Sequence, residues 1–92
     1  MNNNKKAILR VLGHGQIIVT FTNTTFTNIT HPDMHSNLRN ALRNSHGLAF
    51  TPSENGTCIF ISKVHEYDYE LAIFLVVTSL FQYQLPYEVV RQ

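Results

Sequence analysis

The chain has 92 residues and a mass of 10.6 kDa, of which 43% are hydrophobic and 14% charged, with six Phe, four Tyr and no Trp. So large an apolar share excludes a disordered tail, and the scarcity of Glu and Lys excludes a coiled coil, which needs them beside its apolar seam. Seven Lys and Arg against six Asp and Glu leave +1, too little for strong whole-molecule attraction to nucleic acid or anionic lipid.

The size predicts one domain over residues 1–92, with a core that buries roughly 60–65% of the unfolded surface. Cys58, the single cysteine, stands in the apolar run Cys58-Ile59-Phe60-Ile61 and reads as a small buried hydrophobe. That usage suits a reducing cytoplasm. The start, Met1-Asn2-Asn3-Asn4-Lys5-Lys6, leads into a stretch broken by Arg10, Gly13, His14 and Gly15, a poor signal peptide. The longest apolar stretch, Leu71–Phe81, falls well short of the roughly 20 residues that cross a bilayer. A cytoplasmic location is expected, without membrane partners.

In chain order, Ala7–Leu12 and Gln16–Thr22 predict two strands joined by a turn at Gly13-His14-Gly15. In the second strand Ile17, Val19 and Phe21 share one face. Asn23–Thr30 keeps some alternation through Phe26 and Ile29, so it continues that strand or forms a short third one. A helix is predicted over Pro32–His46, capped by Thr30 or His31, with Pro32 and Asp33 in its first turn and Gly47 at its end. Met34, Leu38, Ala41 and Leu42 make its apolar stripe. Leu48–Thr51 and Cys58–Val64 are strands around a turn at Asn55-Gly56. Tyr67–Tyr83 is a second helix, apolar nearly all round, which Pro86 closes off. The order β-β-(β)-α-β-β-α predicts an α+β fold, a small antiparallel sheet of four or five strands covered by two helices. The second helix is expected in the core, where truncating a buried Phe74 would cost about 3–5 kcal/mol. If its second apolar face is one the sheet cannot cover, self-association (a homodimer) or a partner surface would cover it.

Charge is split along the chain. Lys5, Lys6, Arg10, Arg39 and Arg43 against Asp33 make residues 1–46 basic, and the second half is acidic. Arg39 and Arg43 stand one helical turn apart with Asn40, Asn44 and His46 nearby, a donor-rich face suited to phosphate, to an acidic protein, or simply to water. Glu66, Asp68 and Glu70 alternate with Tyr67 and Tyr69. These acids complement the dipole of the second helix, and the strip could serve as an aromatic protein contact. His31 and His35 have a zinc-like spacing, but Pro32 separates their faces and no third ligand completes a site. No metal or other cofactor is expected. His14, His35 or His65 could act as a general base, yet no nucleophile, phosphate loop or metal pair is marked, and Gly13-His14-Gly15 lacks the third glycine of a nucleotide loop.

The residue-level reading therefore predicts a non-enzymatic binding protein. Its partner-binding residues would be Lys5, Lys6, Arg10, Arg39, Asn40, Arg43, Asn44, Tyr67 and Tyr69. The alternatives are a direct nucleic-acid binder working through the same basic residues, and a small His-dependent hydrolase. On its length, its one Cys, the Asn2-Asn3-Asn4-Lys5-Lys6 start and the Arg39/Arg43 helix, the chain resembles small bacteriophage accessory proteins of the anti-CRISPR kind. That resemblance implies a stoichiometric inhibitor in the host cytoplasm that occludes a nucleoprotein such as a CRISPR surveillance complex, with the basic helix contacting guide-RNA phosphate.

Overall fold

Period-two alternation builds the first hairpin. β1 (Lys6–Val11) pairs antiparallel with β2 (Ile17–Thr22), with Ala7 opposite Phe21 and Leu9 opposite Val19. All four side chains are buried, which puts one face of each strand in the core. The structure, a computed structural model, describes residues 5–25, 32–44, 48–65 and 68–91, with backbone alone at positions 32, 34, 35 and 42–44.

The remaining described elements are α1 (Pro32–Asn44), β3 (Ala49–Pro52), β4 (Cys58–Ser62), α2 (Tyr69–Gln82) and β5 (Tyr87–Arg91). The fold is α+β, with one five-stranded sheet in the order β3-β4-β2-β1-β5. β3, β4, β2 and β1 are antiparallel neighbours, while β5 runs parallel to β1. The sheet is thus mixed, correcting the expected all-antiparallel one. The extra strand follows Pro86, which lies just past the end of α2, as expected, and leads into β5. Proline is tolerated there because the start of an edge strand can do without its N–H.

Both helices cover one face of the sheet. Ala7, Leu9, Ile17, Val19, Phe21, Ile59 and Ile61 form a single apolar cluster with Leu38 of α1 and Ala72, Ile73, Val76 and Leu80 of α2. α1 packs on α2 and β3, and α2 on β1. Among the described residues no element covers the other face, called the open face below. Register places Lys6, Ile8, Arg10, Ile18, Thr20, Cys58 and Phe60 there, all half-buried or exposed. Cys58 is therefore half-buried on the open face and not, as expected, in the core.

Several boundaries shift by one or two residues. Residues 23–25 bend away, so β2 does not continue through them, and 26–31 lie outside the described residues together with the expected caps Thr30 and His31. The expected C-terminal glycine, Gly47, lies outside them too. The Asn55-Gly56 turn forms as expected, with Gly56 at φ 74 and the Asn55 Oδ1 accepting from the Thr57 amide at 3.2 Å. No helix among the described residues is long and apolar enough to cross a membrane.

Candidate functional site

α2 is apolar on two sides, and the sheet covers only one. Ala72, Ile73, Val76 and Leu80 face the core. Glu70, Phe74, Val77 and Phe81, spaced i, i+4, i+7 and i+11, form a separate row along the helix. Phe74 is 63% exposed and Phe81 75% exposed, so the condition for a core Phe74, burial, is not met.

This row is tied to β5 at both ends. At one end the Arg91 guanidinium donates two parallel hydrogen bonds to the Glu70 carboxylate, at 2.6 and 2.9 Å. That pairing holds the Glu70 carboxyl below its ordinary pKa, the hydrogen bond contributing most, and it raises that of Arg91. At the other end Phe81 and Tyr87 share the walls of an open, mainly apolar cavity of about 720 Å³ with Gln82, Gln84, Leu85 and Pro86. Phe74 and Val77 lie between those ends on the same row, so they overlook the outer edge of β5.

That edge offers backbone. In a parallel ladder, alternate residues of a strand bond to the same neighbour. The Ala7 N–H donates to the Pro86 carbonyl at 2.9 Å, so Pro86, Glu88 and Val90 turn their polar backbone groups toward β1. Tyr87, Val89 and Arg91 turn theirs outward, and among the described residues no strand pairs with that side. Their side chains share register with Ala7, Leu9 and Val11, on the helix-covered face. The result is a strand edge, unpaired among the described residues, with the α2 row of Phe74, Val77 and Phe81 joined to it by the Glu70–Arg91 pair at one end and by the cavity that Phe81 shares with Tyr87 at the other; this apolar cleft is called the groove below.

A second cavity, of about 330 Å³, lies at the Arg91 end and is lined by Val11, Leu12, Gly13, Tyr69 and Arg91. The β1–β2 turn is locked here. The Tyr69 hydroxyl accepts from the Gly15 amide at 2.7 Å and donates to the Leu12 carbonyl at 3.2 Å, while the Val64 amide donates to the Gly15 carbonyl at 3.1 Å. His14 and Lys63, both at φ 62, sit in the two adjoining loops. His14 and His65 are exposed at this end. The Cys58 thiol is at the far end of the β2–β4 ladder from the turn that carries His14, so the two do not make a thiol–imidazole pair. Among the described residues no three His, Cys, Asp or Glu side chains are grouped to hold a metal ion.

The expected partner-binding residues that are described lie on separate surfaces. Lys5 is exposed just before β1, and Lys6 lies on the open face, with its ammonium 3.5 Å from the Glu88 carboxylate. Arg10 is on the same face, donating to the Thr20 hydroxyl at 3.5 Å. Arg39 and Asn40 are exposed on α1, beyond the opposite face of the sheet. The helix therefore separates from the Lys5/Lys6/Arg10 arm, and the two do not make one basic surface. Arg43 and Asn44 belong to α1 but their side chains lie outside the described residues, as does all of Tyr67. Tyr69 is half-buried with its hydroxyl committed to the hairpin. His31 and the His35 side chain lie outside the described residues. The groove residues Phe74, Phe81, Tyr87 and Val89 were missed. The signal for them was the second apolar face of α2 and the apolar alternation after Pro86.

No family model and no curated protein matches the chain. Two solved structures of the essential ribosomal processing protease Prp from S. aureus are similar to it. One, with a covalently linked product peptide, has a TM-score of 0.48 and 11% identity over 96% of this chain and 99% of the protease chain. The other, with a substrate peptide, has a TM-score of 0.45 and 9% identity over the same shares. The expected non-enzymatic, anti-CRISPR-like inhibitor is not what the comparisons found: both similar structures are of a protease. At these scores the likeness assigns no residue role and no activity to the present chain.

Proposed function

We propose that the chain binds an extended segment of another protein as an additional strand on the outer edge of β5, with alternate side chains entering the groove beneath α2. One observation carries this reading: an apolar row with Phe74 at 63% and Phe81 at 75% exposure is tied, by the Glu70–Arg91 pair and the Phe81–Tyr87 cavity, to a strand whose outer edge is unpaired among the described residues. Strand-edge groups are satisfied by another extended backbone, which supplies affinity through main-chain hydrogen bonds and specificity through pockets for alternate side chains. A globular protein that leaves a long apolar edge uncovered also invites unwanted pairing, so a dedicated occupant gives this edge a use.

The test uses peptides selected from a displayed library on the purified full chain. Bound peptide should slow hydrogen exchange at the Val89 and Arg91 amides, which point outward, and leave Glu88 and Val90 near their protected values. Val89→Pro should abolish binding while keeping the fold, since that amide faces away from β1. Equal binding by Val89→Pro, or protection confined to another face, would overturn the reading. Concentration-dependent protection without peptide would assign the edge to a second copy of the chain instead. Mass spectrometry of the same mixtures reads whether a bound peptide is also cleaved.

A further inference from the structure

The chemistry around β5 goes further than a generic strand edge and specifies the segment it selects. We infer that this segment carries a basic residue between two bulky apolar ones, with the basic residue opposite Glu88; the inference rests on the strand-addition reading above. Tyr87 and Val89 face the helix side, under a row that is apolar from Phe74 to Phe81. The cavity at the Tyr87 end is lined by Phe81, Gln82, Gln84, Leu85, Pro86 and Tyr87, with no charged side chain among them. Segment residues opposite Tyr87 and Val89 would enter this uncharged groove, where a charge would lose water without gaining a partner.

Glu88 lies between those two positions and points to the open face. Its own backbone groups turn toward β1, so in an antiparallel addition it forms a non-hydrogen-bonded pair with the residue opposite. Such pairs bring side chains closest, with Cα atoms roughly 4.5 Å apart. The charged groups facing Glu88 are the Lys6 ammonium on β1, at 3.5 Å, and whatever the added strand supplies. Lys6 approaches from the inner side and both partners remain about half exposed, at 44% and 50%, so the carboxylate stays available to a second cation. Arg10 flanks Glu88 in the row of Val90 as Lys6 does in the row of Pro86, but its guanidinium donates to the Thr20 hydroxyl on β2, on the far side of β1 from the added strand. The nearest charge is therefore negative, and it favours Lys or Arg over Asp or Glu.

The probes are two fluorescein-labelled peptides, Thr-Val-Lys-Phe-Thr-Val and the same sequence with Glu in place of Lys, titrated against the full chain by anisotropy. The Lys peptide should bind about threefold more tightly at low ionic strength, the scale of one cross-strand charge pair. The gap should close in high salt, because the pair is exposed. Glu88→Gln should bring the two peptides to equal affinity, and Glu88→Lys should invert their order. Equal affinity for both peptides on the unaltered chain, with the Val89 and Arg91 amides protected by each, would overturn the charge preference and leave the groove standing. Absence of protection by either peptide would bring down the strand reading and this inference together.

Discussion

The sheet has two edges, and the fold treats them differently. β3 is four residues long, ends in Pro52, and has α1 packed against it. Short length, proline and a covering helix are the ordinary means of closing an edge to other chains. β5 is five residues long, keeps its outward amides at Tyr87, Val89 and Arg91, and lies under the exposed Phe74 and Phe81. Equal exposure of both edges would suggest only a marginal fold. An edge that a helix covers, beside one that no element pairs among the described residues, points to a site, because only at β3 does a helix close the edge.

The largest expected effect separates the two flanks of α2, on which that contrast rests. Leu80→Ala removes a fully buried side chain and should destabilise by about 2–5 kcal/mol. Phe74→Ala, on the outer row, should cost under about 1 kcal/mol while weakening peptide binding to β5. Urea unfolding of both variants checks this. A Phe74→Ala loss as large as that of Leu80→Ala would mean the outer row is core and the groove does not exist.

Next in size is the lock at the Arg91 end of the groove. Gly15 sits at φ +74, and a Cβ there would meet the Val64 carbonyl oxygen at 2.9 Å. The obstacle is backbone, which cannot swing aside, so Gly15→Ala should cost about 1–3 kcal/mol from the left-handed conformation alone, and more from the contact. If the Tyr69 hydroxyl and this turn hold the end of α2 over β5, exchange at the β5 amides should rise in this variant while those of β3 stay as they were. Equal loosening at both edges would mean that the turn supports the whole sheet and not the groove.

The hairpin, the inward faces of Val19 and Phe21 and the start of α1 were legible in the sequence because each follows from local spacing: alternation, a glycine turn, Pro-Asp at a helix start. β5 was not. Tyr87-Glu88-Val89-Val90-Arg91 is a short segment behind a proline, and its parallel partner β1 lies some eighty residues earlier, a pairing that no local pattern encodes. The groove failed for a related reason. The all-round apolarity of α2 signalled a second face, but whether Phe74 or Val76 points inward depends on where the sheet ends, and that depends on β5. Charge was the least informative signal. Lys6 and Arg10 went to one face of the sheet and Arg39 to a helix beyond the other, although sequence proximity to a basic half had grouped them.

The smallest expected effect concerns the ion pair that joins the row to β5. Glu70 has its carboxyl pKa lowered in the folded chain, chiefly by the hydrogen bonds from Arg91. A lowered folded pKa contributes stability that is present above the ordinary carboxylate range and is lost as pH falls through the folded value. Both side chains are exposed, so the contribution is small and salt-sensitive. Glu70→Gln should therefore melt slightly below the unaltered chain at neutral pH, and the difference should vanish under acid conditions, where the native carboxyl is protonated too. Comparing the two proteins cancels the contributions of the other five acidic side chains, which both retain. A difference that persists in acid would mean that Glu70 acts through packing or helix propensity, and that the Arg91 end of the groove is held by Tyr69 and the hairpin turn alone.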